Sequence, residues 1–347
     1  MRNPALHERR HRQVLADIVR MYIETGEPVS SRAIAKRFEE ALSPATIRNI
    51  MADLEDAGLL YQPHTSAGRV PTASAYRFFA QEIALQATLS VTDREWIHRE
   101  MDGAESTAEM TERAGHVLAE VSNGLGIIVS PPLGKTVLEH TRMLLLPDGR
   151  VVVVLISPGG ISRDKILRTP RRFTQEELDA TSEFLNSHYS GWTLEAIRAD
   201  LLQKVAGESE RYEGILRSAL TLCDPAMLGD EPGRQVHVEG AAQFASAPEF
   251  ADQAQLRDLL AAIEEKHRLI SLLSACIESP EAVHVQIGVK EIAQGGENLA
   301  LIIAPYLRND EVQGTLGVLG PTRMHYERAV TAVAYVARVF SEALSKI

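Results

Sequence analysis

The chain has 347 residues, 45% of them hydrophobic, and a formal net charge of −11. That is long and apolar enough for two or three domains with real cores. Its two cysteines, Cys223 and Cys276, argue against a disulfide framework or a zinc ribbon and suit a reducing cytoplasm.

The first predicted element is a helix over residues 6–25, with Val14, Leu15, Ile18, Val19, Tyr22 and Ile23 inward, stopped by Gly26 and Pro28. Its start contains "HERRH", His7 to His11, which satisfies the H-E-x-x-H pattern of zinc proteases. A zinc site needs a third ligand and a buried helix. Here Arg2, Arg9, Arg10 and Arg12 surround the motif, and their charge disfavours a divalent cation, so it reads as a solvated helix start and no metal is expected. A second, shorter helix spans Ser30 to Phe38, with Ser30 or Ser31 as cap, Ala33, Ile34 and Phe38 on one side, and Arg32, Lys36 and Arg37 on the other.

After a tight link, Ser43 is a good N-cap and Pro44 suits the first position of a third helix, while Gly58 reads as the residue beyond its end. Ile47, Ile50, Met51, Leu54 and Ala57 form one apolar stripe. The opposite face carries Ala45, Asn49, Ala52 and Asp56, flanked by Thr46 and Arg48. Asp53, Glu55 and Asp56 lie late in this helix, where acid opposes the macrodipole, so charge is not placed for helix stability. A helix whose first half enters a DNA groove has this gradient. A short strand (59–61) and a turn-rich loop with His64, Ser66 and Arg69 follow. Three helices and a β-hairpin with a basic tip make a winged helix-turn-helix; the helix pair alone would equally suit an ordinary αα-hairpin. Residues 1–77 hold 11 Lys/Arg against 9 Asp/Glu, so this part is near +2 and the rest near −13. The candidate DNA-binding residues are Ser31, Arg32, Ser43, Ala45, Thr46, Arg48, Asn49, His64, Ser66 and Arg69, with Arg48 and Asn49 as base readers and Arg69 serving the phosphate backbone.

Further along, a connector helix is expected over residues 75–89, lined by Tyr76, Phe79, Ile83 and Ala87. Capping boxes are expected at Thr92/Glu95 and Ser106/Glu109, the second helix ending at Asn123-Gly124. "LGIIVSPP", "TRMLLLPDGRVVVVLIS" and "GISRDKILRTP" read as strands, residues 174–228 as helices, then "VHVQIGV", "LALIIAPY" and "TLGVLG" as strands again. In the final helix Tyr326, Val330, Val333, Ala337, Phe340 and Leu344 form a stripe that covers the chain's own sheet or a dimer seam, the former favoured. The longest apolar stretch is broken by Pro147-Asp148-Gly149 and is too short to span a bilayer, and no N-terminal secretion signal is seen; a cytoplasmic protein is expected.

"SSRAIAKRF", "LSPATIRNIMADLEDAGLLYQPHTSAGRVPT" and "AYRFF" resemble the heat-inducible transcription repressor family HrcA of bacteria, most closely over residues 29–79 and more weakly in "FLNSHYSG", "VQIGVKE" and "GVLGPTRMHY". Ser74 and Ala75 stand where that family usually has Lys-Gly, a departure at the end of the wing. The resemblance implies a homodimeric repressor of chaperone genes that binds an inverted-repeat operator, the CIRCE element, assisted by the chaperonin GroEL. It implies an α+β multidomain fold: a winged helix (1–75), a helical connector (76–105), and a GAF-like α/β domain (106–170 and 229–347) interrupted by a mainly helical dimerising insert (171–228). No nucleophile elbow or glycine-rich nucleotide loop occurs, so neither enzyme activity nor a cofactor is expected. The rival reading is a regulator whose GAF-like domain senses a small effector; strands this apolar favour a collapsed pocket instead.

Overall fold

The computed structural model describes residues 9–38, 42–83, 86–104, 106–130, 134, 136–157, 161–169, 171–205, 210–222, 235–245, 261, 283–290, 296–308 and 311–345. His7, Glu8, Cys223 and Cys276 lie outside the described residues.

The N-terminal part is α1 (Arg9–Thr25), α2 (Ser31–Arg37), α3 (Pro44–Asp56), β1 (Leu60–Tyr61) and β2 (Val70–Pro71). Capping chemistry sets the boundaries: the Ser30 and Ser43 hydroxyls accept from the N–H groups of Ala33 and Thr46. Beyond α3, Gly58 takes φ +71°, the left-handed conformation that lets the chain leave a helix. The helix α4 (Ala73–Phe78) then runs into a π-helical turn (Phe79–Ile83). The connector is therefore shorter than the expected 75–89 helix, with Tyr76 and Phe79 buried as expected and Ala87 only half-buried after it.

Next come α5 (Val91–Met101) and α6 (Thr107–Ser122). The cap of α5 is Ser90, which accepts from Asp93 N at 3.0 Å, not Thr92, so the helix starts two residues earlier than expected; Ile97 and Met101 are its buried residues. Ser106 caps α6, but Glu109 turns to Arg113 (2.6 Å), so the box is one-sided. Asn123 ends α6 at φ +50°.

A five-stranded antiparallel sheet follows, in the order β7-β3-β10-β9-β8: β3 (Leu125–Ser130), β7 (Gln235–Glu239), β8 (His284–Ile287), β9 (Leu299–Arg308) and β10 (Glu311–Pro321). Sequence reading missed β7. A short α10 (Ala241–Ala245) follows β7. Helix α6 and the last helix, here α11 (Tyr326–Leu344), cover one face, and every residue of the expected α11 stripe is buried there.

The strands β4 (His140–Leu145), β5 (Val151–Ser157) and β6 (Ile161–Leu167) do not continue that sheet. Among the described residues they pair only with one another, in the order β4-β5-β6. Helices α7 (Gln175–Tyr189), α8 (Leu194–Val205) and α9 (Glu210–Leu222) join them around a separate core that includes Met143, Val153, Leu155, Leu178, Leu185, Ile197 and Leu201. The expected boundary at residue 171 thus falls inside a packed unit of strands plus helices. The alternation of β5, buried at Val151, Val153 and Leu155, turns one sheet face to these helices. From α7, Gln175 and Asn186 bond the backbone of edge strand β4: Leu145 N and Thr141 N donate to their side-chain oxygens, and their amide groups donate to Met143 O and Thr141 O.

The other core is continuous from the winged helix into the sheet. A single buried cluster runs from Val14 through Phe79 to Leu344. At the join, Tyr326 is fully buried with Tyr76 (6.0 Å between ring centroids) and Phe79 (6.3 Å, edge-on). Beside them Arg20 binds Glu327 with Nη2 at 2.8 Å and lies over the Phe79 ring.

Candidate nucleic-acid interface

The helix pair α2–α3 is the core of the site. Ile34 and Ala35 of α2, and Ile47, Ile50, Met51 and Leu54 of α3, are buried against α1. That leaves Pro44, Ala45, Thr46, Arg48, Asn49 and Ala52 exposed on one side of α3. Neither Arg48 nor Asn49 has a hydrogen-bond or ion-pair partner among the described residues, so both forks are available. Thr46 is tied to the cap, its hydroxyl 2.9 Å from that of Ser43. At the start of α2, Arg32 is exposed and Ser31 half-buried; the cap is Ser30. Lys36 is exposed on the same helix, whereas Arg37 pairs with Glu24 at 3.3 Å.

The wing is a two-residue ladder, Leu60 opposite Pro71 and Tyr61 opposite Val70. Its tip is organised by Gln62, whose amide donates to Thr65 O (3.0 Å) and Ala67 O (2.9 Å). His64 and Ser66 are exposed there. Tyr61 is also exposed, an aromatic surface that sequence reading did not single out.

Arg69 differs from the expectation. It was expected to serve the DNA backbone from the wing tip, but its side chain is only 18% exposed and its Nη2 donates to Glu55 Oε2 at 2.7 Å. Its backbone makes a two-way bridge with Val29 (2.8 and 2.9 Å), which aims the side chain back at α3. The neighbouring Gly68 permits this approach, since a Cβ there would strike Val29 O. Two of the three late acids of α3 are thus occupied: Glu55 holds Arg69, and Asp53 meets Nε2 of buried His11 at 3.2 Å. This contact also turns His11 of the HERRH motif inward, and no group of three metal-ligating side chains occurs among the described residues.

Helices capped and packed in this way, with an adjoining wing, make a winged helix, and comparison with known proteins gives it a lineage. Residues 8–84 match the family model described as a winged helix-turn-helix transcription repressor, HrcA DNA-binding, and residues 108–330 match that of the HrcA protein C-terminal domain. The chain belongs to the HrcA family. Its relatives include the heat-inducible transcription repressors HrcA of Geobacter sulfurreducens (35% identity, over 96% of this chain and 97% of that one) and Methylococcus capsulatus (35%, 99% and 97%). A solved structure described as a hypothetical protein shares the fold, with a TM-score of 0.67 at 24% identity over 97% of this chain and 98% of that one. As a family member the chain is a negative regulator of heat-shock genes with a DNA-binding winged helix. No helix among the described residues is long and apolar enough to cross a membrane.

Proposed function

We propose that the protein represses chaperone operons from the cytoplasm by binding an inverted-repeat operator of the CIRCE type as a homodimer, with one α3 in the major groove of each half-site. The observation that carries this reading is the exposed, unpartnered Arg48–Asn49 pair one turn into a capped helix, flanked by the small residues Ala45 and Thr46. Arg suits guanine, Asn suits adenine, and small neighbours let the helix reach base edges. In this reading Arg32 and Ser31 on α2, and His64 and Ser66 on the wing, contact the sugar-phosphate backbone; the exposure of Arg32, His64 and Ser66 supports it.

The dimer reading is supported by the outer face of the β4-β5-β6 sheet. Leu144, Val152 and Ile166 form a row across its three strands, with Leu144 43% and Ile166 53% exposed. The next row is Arg142, Val154 and Asp164, so a second copy turned through a two-fold axis offers opposite charges to each other's row. We assign dimerisation to this strand-bearing unit rather than to helices 171–228 alone. GroEL enters this scheme as the agent that raises the fraction of folded, DNA-competent repressor, because the long-range pairing of the sheet exposes apolar surface during folding.

The test is titration of the purified chain on an inverted repeat, a single half-site and random DNA. Tight binding to the repeat alone, with one dimer per duplex, is the expected outcome. Arg48→Ala should cost about 1–3 kcal/mol on the repeat and relax preference at one position per half-site. Equal losses on random DNA would remove Arg48 from the reading role.

A further inference from the structure

We propose that Glu55 and Arg69 are positioning residues for DNA recognition: the acidic second half of α3 is the seat of the wing, and their ion pair sets the wing's angle to the reading face. This rests on the reading of α3 and the wing given above. Three carboxylates at the end of a helix work against its dipole. Here two of the three are spent on anchoring, one on the wing strand and one on α1. The Glu55–Arg69 pair is also unlike an ordinary surface pair, since its side chains are 33% and 18% exposed and it bridges two separate elements.

The rest of the wing is built to transmit that anchor. At its base Thr72 donates its hydroxyl to Gly58 O (2.8 Å), and Arg69 is bonded through its backbone to Val29 on both sides. At its tip Gln62 closes the 62–67 turn with two hydrogen bonds. A tilt at the base is therefore carried to His64 and Ser66 rather than absorbed in the loop. The base can still pivot about the strand, because the ladder of β1 and β2 is only two residues long. The ion pair to α3 is the side-chain strut that, alongside the Val29 bridge, limits this pivot, and among the described residues the buried Nε of Arg69 has no acceptor to hold it otherwise. Glu55 lies seven residues after Arg48, about 10 Å along the helix, so the strut and the reader share one rigid rod.

The competing role for Arg69, a phosphate contact that swings outward on DNA, predicts the opposite sign for one substitution. Glu55→Gln would then free the arginine and remove a negative charge, tightening operator and random DNA alike. As a strut, Glu55→Gln should weaken operator binding about tenfold and leave the affinity for random DNA and the salt slope unchanged. Arg69→Met, which keeps the apolar stem, should do the same, and the double variant should be no worse than either single one. Arg69→Lys still reaches Glu55 and should retain most of the binding. Full-length variants are measured at two salt concentrations, with thermal melts alongside. If Arg69→Met melts early, Glu55→Gln and Arg69→Lys decide the matter. Three results overturn the proposal: binding by Glu55→Gln as tight as that of the parent, additive losses in the double variant, or a salt slope reduced by about 0.9 per subunit in Arg69→Met. Arg48→Ala serves as the control: if it leaves operator preference intact, the reading face is misassigned whatever the strut does.

Discussion

The winged helix and the 136–222 unit are attached to the five-stranded sheet in different ways. The first is recognised by its own family model, ending at residue 84, yet it shares a core with the sheet: Tyr326 of α11 is sealed between Tyr76 and Phe79, and Arg20 reaches Glu327. The second lies inside the span of the C-terminal family model, yet keeps a core of its own. Lineage and packing draw different borders through this chain. The DNA-binding part shares one core with the sheet, whereas the unit that separates β3 from β7 has a core of its own.

The largest effect should come from breaking the shared core. Tyr326→Ala removes a fully buried ring and should cost roughly 3–5 kcal/mol, by analogy with other large aromatic truncations. Hydrogen exchange should then rise together in α1, α4 and β9; loss confined to the sheet would show that the winged helix stands alone. Next in size, Leu185→Ala in the second core should cost about 2–5 kcal/mol and loosen residues 136–222 while amides of α3 keep their protection. Ile166→Asp, on the outer sheet face, should leave each protomer folded, lower the melting point only by the lost dimer linkage, shift sedimentation to a monomer and weaken the inverted repeat far more than a half-site. An unchanged sedimentation coefficient would move the dimer seam elsewhere.

The smallest effect is one of pH. At the edge of the second core Asp200 accepts from Lys204 (2.9 Å) and from Tyr189 Oη (2.6 Å), and these hydrogen bonds hold its carboxyl below the ordinary 3.8. A depressed acid stabilises the fold above its unfolded value, and that contribution fades as pH falls through the lower folded value. The pair is partly exposed, so only a few tenths of a kcal/mol are expected. Acid titration of the 136–222 transition should show this component, and Asp200→Asn should abolish it.

How much of this was legible in the sequence depended on whether the cause was local. The limits of α3 could be read because Ser43, Pro44 and Gly58 act within a turn of themselves. The α11 stripe could be read because burial on one face forces a helical period. Sheet membership could not, because apolar strands such as 151–157 carry no mark of which neighbour they will pair with. The five residues of β7 lie at a sheet edge and are too few for an alternation to stand out. Two overlapping cap motifs, Ser90 with Asp93 and Thr92 with Glu95, lie two residues apart, and the local pattern does not choose between them; the structure uses Ser90. At the site, the exposed face of α3 followed from its stripe, but the partner of Arg69 did not, because a contact across 14 residues between a strand and a helix has no period to betray it.

The bond between Arg20 and Glu327 spans 307 positions of the chain. A ribosome adding about 5–20 residues per second needs roughly 15–60 s to travel that distance. For that interval the first helix has been made but its permanent neighbour has not, and the faces of Tyr76 and Phe79 that will receive Tyr326 remain open to the cell. Every newly synthesised molecule therefore passes through a stage in which its DNA-binding end is incomplete, and that stage closes only when the last helix arrives.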